Sequence, residues 1–201
     1  MYISSDSLYL DGGVLANLCV ADSVAQILAA VPYRPVLLPD MLNRSYPIYN
    51  AAPADVEPGA NKGNGEIEEA DAQHVAVRTL VDRGVFHMCP AWDSEHMRLV
   101  VELSDRLSDR TAHLAAWALL CGGAIGSDDR RTKWLIEEHF PGIQLVTTAR
   151  LIHMWQQTTG LPDEAATRVI CQIRQRAFFV PPESDPLHDW WFSHSGDQWN
   201  Q

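Results

Sequence analysis

The chain contains no CxxC pair, no P-loop, no GxGxxG, and no apolar run near the roughly 20 residues that a membrane helix needs. Each absence removes a class of function. The four cysteines, Cys19, Cys89, Cys121 and Cys171, stand far apart in apolar surroundings, which predicts buried free thiols rather than a zinc site or disulfides. Without a glycine-rich phosphate cradle, no nucleotide cofactor is implied. Ser127 lacks the glycine-flanked elbow of a serine hydrolase. The N-terminus has no basic stretch followed by an apolar one, so the chain reads as soluble and cytoplasmic, with no membrane contact. Positive charge is scarce: 15 Lys and Arg against 26 Asp and Glu leave a net charge of -11. That balance argues against broad, avid nucleic-acid binding, because such affinity comes largely from cations that neutralise phosphates. Any contact of that kind must be local.

What is present is enough apolar material for one core: 46% of 201 residues are hydrophobic, and no internal repeat divides them. Strands are expected near 7–11, 36–38, 85–89, 124–126 and 143–147. Helices should cover about 13–20, 22–30, 70–82, from 93 or 94 onward, 109–121, up to 139, 149–158 and 162–176, with a helical turn from Pro39 and Asp40 to Ser45. This alternation predicts an α/β protein, a central mainly parallel sheet covered by helices in a three-layer α/β/α sandwich. The Pro-, Gly-, Ala- and Asn-rich segment 51–65 reads as an exposed loop within a single domain, 1–182. Residues 183–201 form a tail with three of the seven tryptophans and with His188 and His194, suited to docking on its own domain, on a partner or on a second copy.

Chemistry concentrates at two strand ends. Leu8-Tyr-Leu-Asp11 and Ala124-Ile-Gly-Ser-Asp128-Asp129 are apolar runs that end in carboxylates and pass directly into helical patterns. In parallel α/β sheets, ligands bind beyond the carboxyl ends of the strands, so Asp11 and Asp128 are expected to converge there. Asp129 has a second reading as the cap of the following helix. Arg130, Arg131 and Lys133, joined by Arg150 or by Arg174 and Arg176, are the candidate nucleic-acid contacts. His113, one turn from Asp109, reads either as half of an acid and base pair or as a packed histidine.

Over about 7–182, the order and spacing of several stretches resemble the PIN-domain proteins, in particular a bacterial group of nucleic-acid-binding proteins related to toxin ribonucleases. The stretches are Tyr-Leu-Asp-Gly-Gly-Val-Leu-Ala-Asn-Leu, Leu-Leu-Pro-Asp-Met-Leu, Gly-Glu-Ile-Glu, Leu-Ser-Asp-Arg-Thr-Ala-His-Leu-Ala-Ala-Trp-Ala-Leu, Ser-Asp-Asp-Arg-Arg and Phe-Val-Pro-Pro. The resemblance implies a PIN-like fold with about four carboxylates that hold Mg²⁺ or Mn²⁺ and activate water against an RNA phosphodiester. Asp11 matches the first acid of that set and Asp128 the last, with Asp129 beside it. The middle two positions carry Ser45 and Thr111 instead. Asp40 does not replace Ser45, since five residues along a helix turn a side chain by about 140°. Asp109 is the better substitute ligand, or else the cap of its helix. The resemblance thus implies one of two things. The chain is a weakened or inactive nuclease kept as a protein- or RNA-binding module, or it is an active Mg²⁺- or Mn²⁺-dependent endoribonuclease, the toxin of a toxin-antitoxin pair held in check by a bound protein, with catalysis on Asp11 and Asp128.

Overall fold

The computed structural model describes residues 6–48 and 73–195. The loop expected at 51–65, the acidic run 66–71 and the last residues of the tail lie outside the described residues. Strand β1 (Ser7–Leu10) is buried at every position, as a strand covered on both faces must be. Beside it lie β2 (Arg34–Leu37), β5 (His87–Met88), β6 (Ala124–Gly126) and β7 (Gln144–Val146), in the order β5-β2-β1-β6-β7. All four pairings are parallel, with Tyr9 opposite Val36 on one side and Ile125 on the other.

Helices α1 (Gly12–Cys19) and α2 (Val24–Ala30) connect β1 to β2, while α4 (Ser94–Leu103) and α5 (Asp109–Cys121) carry the chain from β5 across to β6. These two crossovers run in opposite directions along the sheet. Right-handed connections therefore put them on opposite faces. The later helices α7 (Thr148–Thr159) and α8 (Asp163–Ala177) return to the first face: α7 packs on α1 and α2, and α8 packs on α1. The expected three-layer α/β/α sandwich is the architecture observed. Gly123 shows why its position tolerates no side chain, since its φ is +109° and a Cβ there would stand 2.4 Å from the Ser7 carbonyl oxygen.

Two elements depart from the expectation. The helix expected over 70–82 is a strand, β4 (Gln73–Ala76), followed by a short helix, α3 (Val77–Asp82). β4 pairs antiparallel with β3 (Ser45–Ile48), so the expected helical turn shrinks to a 3₁₀ turn, Pro39–Met41. Pro47 biases its predecessor toward extended backbone and denies a helix its amide, which accounts for the strand. The four cysteines are free, Cys19 and Cys89 buried with thiols pushed up to about 12 by burial. Among the described residues no single helix is long and apolar enough to cross a membrane.

The described part of the tail docks on the domain. It forms α9 (His188–Ser193), which buries Trp191 completely against the edge of Phe179 at 5.5 Å between ring centres. Trp190 meets His153 edge-on, and the Ser195 carbonyl accepts from the Cys171 thiol. If this docking belongs to the fold, Trp191→Ala should cost about 3–5 kcal/mol in urea unfolding. A loss within experimental error would mean that α9 is not part of the folding unit.

Candidate functional site at the carboxyl ends of the strands

Three neighbouring strands deliver polar residues to one end of the sheet. β1 is followed by Asp11, β6 by Ser127, Asp128 and Asp129, and β7 by Thr147 and Thr148. The Asp11 amide donates to the Gly126 carbonyl at 2.9 Å, and the Ser127 amide to that of Val146 at 3.1 Å, so the ladder holds these residues in line. Between β1 and β6 the strand order reverses, the position at which α/β sheets form their binding crevice. Asp11 and Asp128 therefore do meet, as their sequence setting predicts.

Each acid is already engaged. Asp11 caps α1, its Oδ1 accepting from the Val14 amide at 2.8 Å. Burial pushes its carboxyl above the ordinary range against hydrogen bonds from Ser127, Val14 and Gly13, and the Asp129 charge adds to the rise. Asp128 accepts the Thr148 amide on Oδ1 at 2.8 Å, and on Oδ2 both the Thr148 hydroxyl and the Asn17 amide nitrogen, the latter at 2.9 Å. Burial outweighs these donors, and with the Asp11 charge it pushes Asp128 up to about 6. Asp129 caps α6 (Arg130–His139) through the Thr132 amide at 2.7 Å. Burial opposes its ionisation, but Thr132 and Arg131 prevail and hold it below the usual carboxylate range.

Ser45 and Thr111, which stand where the resemblance expects acids, and Asp109 lie on other elements. Ser45 is exposed on β3, paired with Ala76, rather than at a helix start. Thr111 is buried and its hydroxyl shares a 2.8 Å hydrogen bond with Ser108, which is the residue that caps α5. Asp109 is therefore not the cap. It stands exposed in the first turn, with His113 as its electrostatic neighbour. His113 is a packed histidine: it bonds His96 at 2.9 Å and stacks on Trp92 at 4.2 Å. His188 pairs with Asp189 and His194 with Asp163. Among the described residues no three His, Cys, Asp or Glu side chains are placed to share one ion. Both Asp128 oxygens accept hydrogen bonds from the chain.

The basic residues also divide. Arg130 and Lys133 line a cleft of about 280 Å³ that reaches from Ser127, Asp128 and Asp129 to Trp134, Thr147 and Ser184. Arg131 faces a second cleft, beside Ser108 and Thr111. Arg176 bonds Asp22 and the Val20 carbonyl, and Arg174 is buried, so neither extends the patch; Arg150 is exposed. Sequence reasoning missed Asn17, Thr148 and Trp134. A lone amide on the apolar helix Gly12–Cys19, and a polar Thr-Thr pair at a third strand end, were the available signals.

Asp128 links the site to folding. Its folded value, about 6, lies above the reference 3.8, so the folded chain holds the proton more tightly between those values. Stability from this group is lost as pH rises through that window, with Asp11 acting in the same direction. Between pH 4 and 7 the unfolding free energy of wild type should fall by about 2 kcal/mol relative to Asp128→Asn. A difference that does not change with pH would contradict the burial of this carboxylate.

Comparison with known proteins finds no matching family model, no matching curated protein and no matching solved structure.

Proposed function

We propose that this chain is a PIN-like protein whose acidic site has lost its metal chemistry, and that it binds single-stranded RNA at the cleft beside Asp129. The observation that carries the reading is Trp134, 59% exposed on the same cleft wall as Arg130 and Lys133. An exposed aromatic face beside cations is what a single strand needs, since bases stack on the ring while phosphates meet the charges. The cleft carries both signs: Asp128, Asp129 and Asp185 accept hydrogen bonds from the chain, Glu137 accepts none among the described residues, and Arg130 and Lys133 form no ion pair among them and so can turn to a phosphate.

Two further observations support the family part of the reading. The strand order brings Asp11 and Asp128 together at the reversal point, as the resemblance implies. The positions of the two middle acids carry hydroxyls, one exposed and one bonded to Ser108. Mg²⁺ or Mn²⁺ binding at Asp11, Asp128 and Asp129 is accordingly weak in this reading.

Fluorescence anisotropy with a labelled single-stranded RNA tests it. Wild type should bind with a shallow salt dependence, a slope of about -1 to -2 in log affinity against log salt, as expected for two cations. Trp134→Ala should weaken binding by about 5- to 150-fold. Undiminished affinity in both Trp134→Ala and Lys133→Ala would remove the cleft from the account. Mn²⁺-dependent RNA cleavage that disappears in Asp11→Asn would replace binding by catalysis.

A further inference from the structure

Two guanidinium groups converge over the first residue of α1, on elements that take no part in the Trp134 cleft. Arg110 Nη2 donates to Asp40 Oδ2 at 3.1 Å, and Arg44 Nη2 lies 3.8 Å from the same oxygen. Their Nη1 atoms both reach Gly12: a Cβ there would stand 3.2 Å from Arg44 Nη1 and 3.8 Å from Arg110 Nη1. The missing side chain leaves the room in which these N–H groups meet. Tyr46 adds a hydroxyl, which donates to the Gly12 carbonyl at 3.4 Å and contacts Arg44.

The charges do not balance. Two cations share one carboxylate, and both use the same oxygen of it. The three side chains are 34%, 41% and 48% exposed for Arg44, Arg110 and Asp40, so an incoming anion can reach them. Guanidinium groups present paired N–H donors in a planar fork that matches the oxygens of a phosphate, and a dianion would neutralise both.

We propose that Arg44 and Arg110, meeting over Gly12, form a binding site for a phosphate monoester, and that Asp40 is the internal anion the phosphate displaces. The same chemistry is offered by the 5′-terminal phosphate of a nucleic acid and by a small free phosphate. The site stands on its own geometry and does not depend on RNA binding at Trp134.

The test is calorimetric titration of the full chain with inorganic phosphate, and with two RNA oligonucleotides that differ only in a 5′-phosphate or a 5′-hydroxyl. Thermal unfolding verifies that each variant is folded. Wild type should bind phosphate, and Arg44→Gln and Arg110→Gln should each weaken it by about tenfold or more. Asp40→Asn should tighten binding by a few-fold, an outcome that a merely structural Asp40 would not give. A preference for the phosphorylated oligonucleotide that Arg110→Gln erases identifies a nucleic-acid end as the source; equal affinity for the two, with inorganic phosphate still bound, identifies a small phosphate. The proposal is overturned if neither phosphate form binds, if binding is unchanged in both glutamine variants, or if Asp40→Asn weakens it. Because Trp134→Ala leaves this site intact, failure of RNA binding in that variant alone would not bear on it.

Discussion

The carboxylate of Asp128 ties together three elements at one end of the sheet. Asn17 comes from α1, Thr148 from the start of α7, and Asp128 itself from the turn between β6 and α6. Hydrogen bonds to a charged group contribute about 1.5–3 kcal/mol each, while taking that charge out of water costs several kcal/mol. Burial, with the Asp11 charge, raises Asp128 to about 6 against its three donors. The tie is therefore a source of geometric definition more than of stability. Together with the backbone ladder, it holds the polar ends of β1, β6 and β7 next to one another.

Helix capping and metal binding compete for the same oxygens. Asp11 and Asp129 each use an oxygen to satisfy the first turn of the helix that follows, which is why a strand ending in aspartate passes so directly into α1 and α6. Asp128 has both oxygens occupied. The central carboxylates are thus hydrogen-bonded within the fold, and the cations lie outside them, Arg44 and Arg110 over Gly12 and Arg130 and Lys133 along the Trp134 cleft. In the proposed reading, function has moved from the centre of the crevice to its rim.

The strands and the acids at their ends were legible because a buried parallel strand is apolar throughout and its terminating aspartate is conspicuous. The helix over Asp109–Cys121 was legible for a similar reason. The β3–β4 pair was not, because Ser-Tyr-Pro-Ile and Gln-His-Val-Ala are each too short for a period to show and pair across the 24 residues 49–72. Asp109 was misplaced by one position. Ser108 and Asp109 are both good caps, and only the backbone of Ser108, extended just before the helix, decides between them. The role of Asp128 depended on Thr148 and Asn17, 20 and 111 positions away, a distance over which no local pattern reports.

In the proposed reading, the acids at the strand ends serve the fold and have little capacity left for a divalent ion. Calorimetric titration of Mn²⁺ into wild type and Asp11→Asn tests it most directly. Binding no tighter than about millimolar in both is the predicted result, the affinity of a site short of charged ligands. A micromolar site in wild type that Asp11→Asn removes would contradict it and return the crevice to metal chemistry.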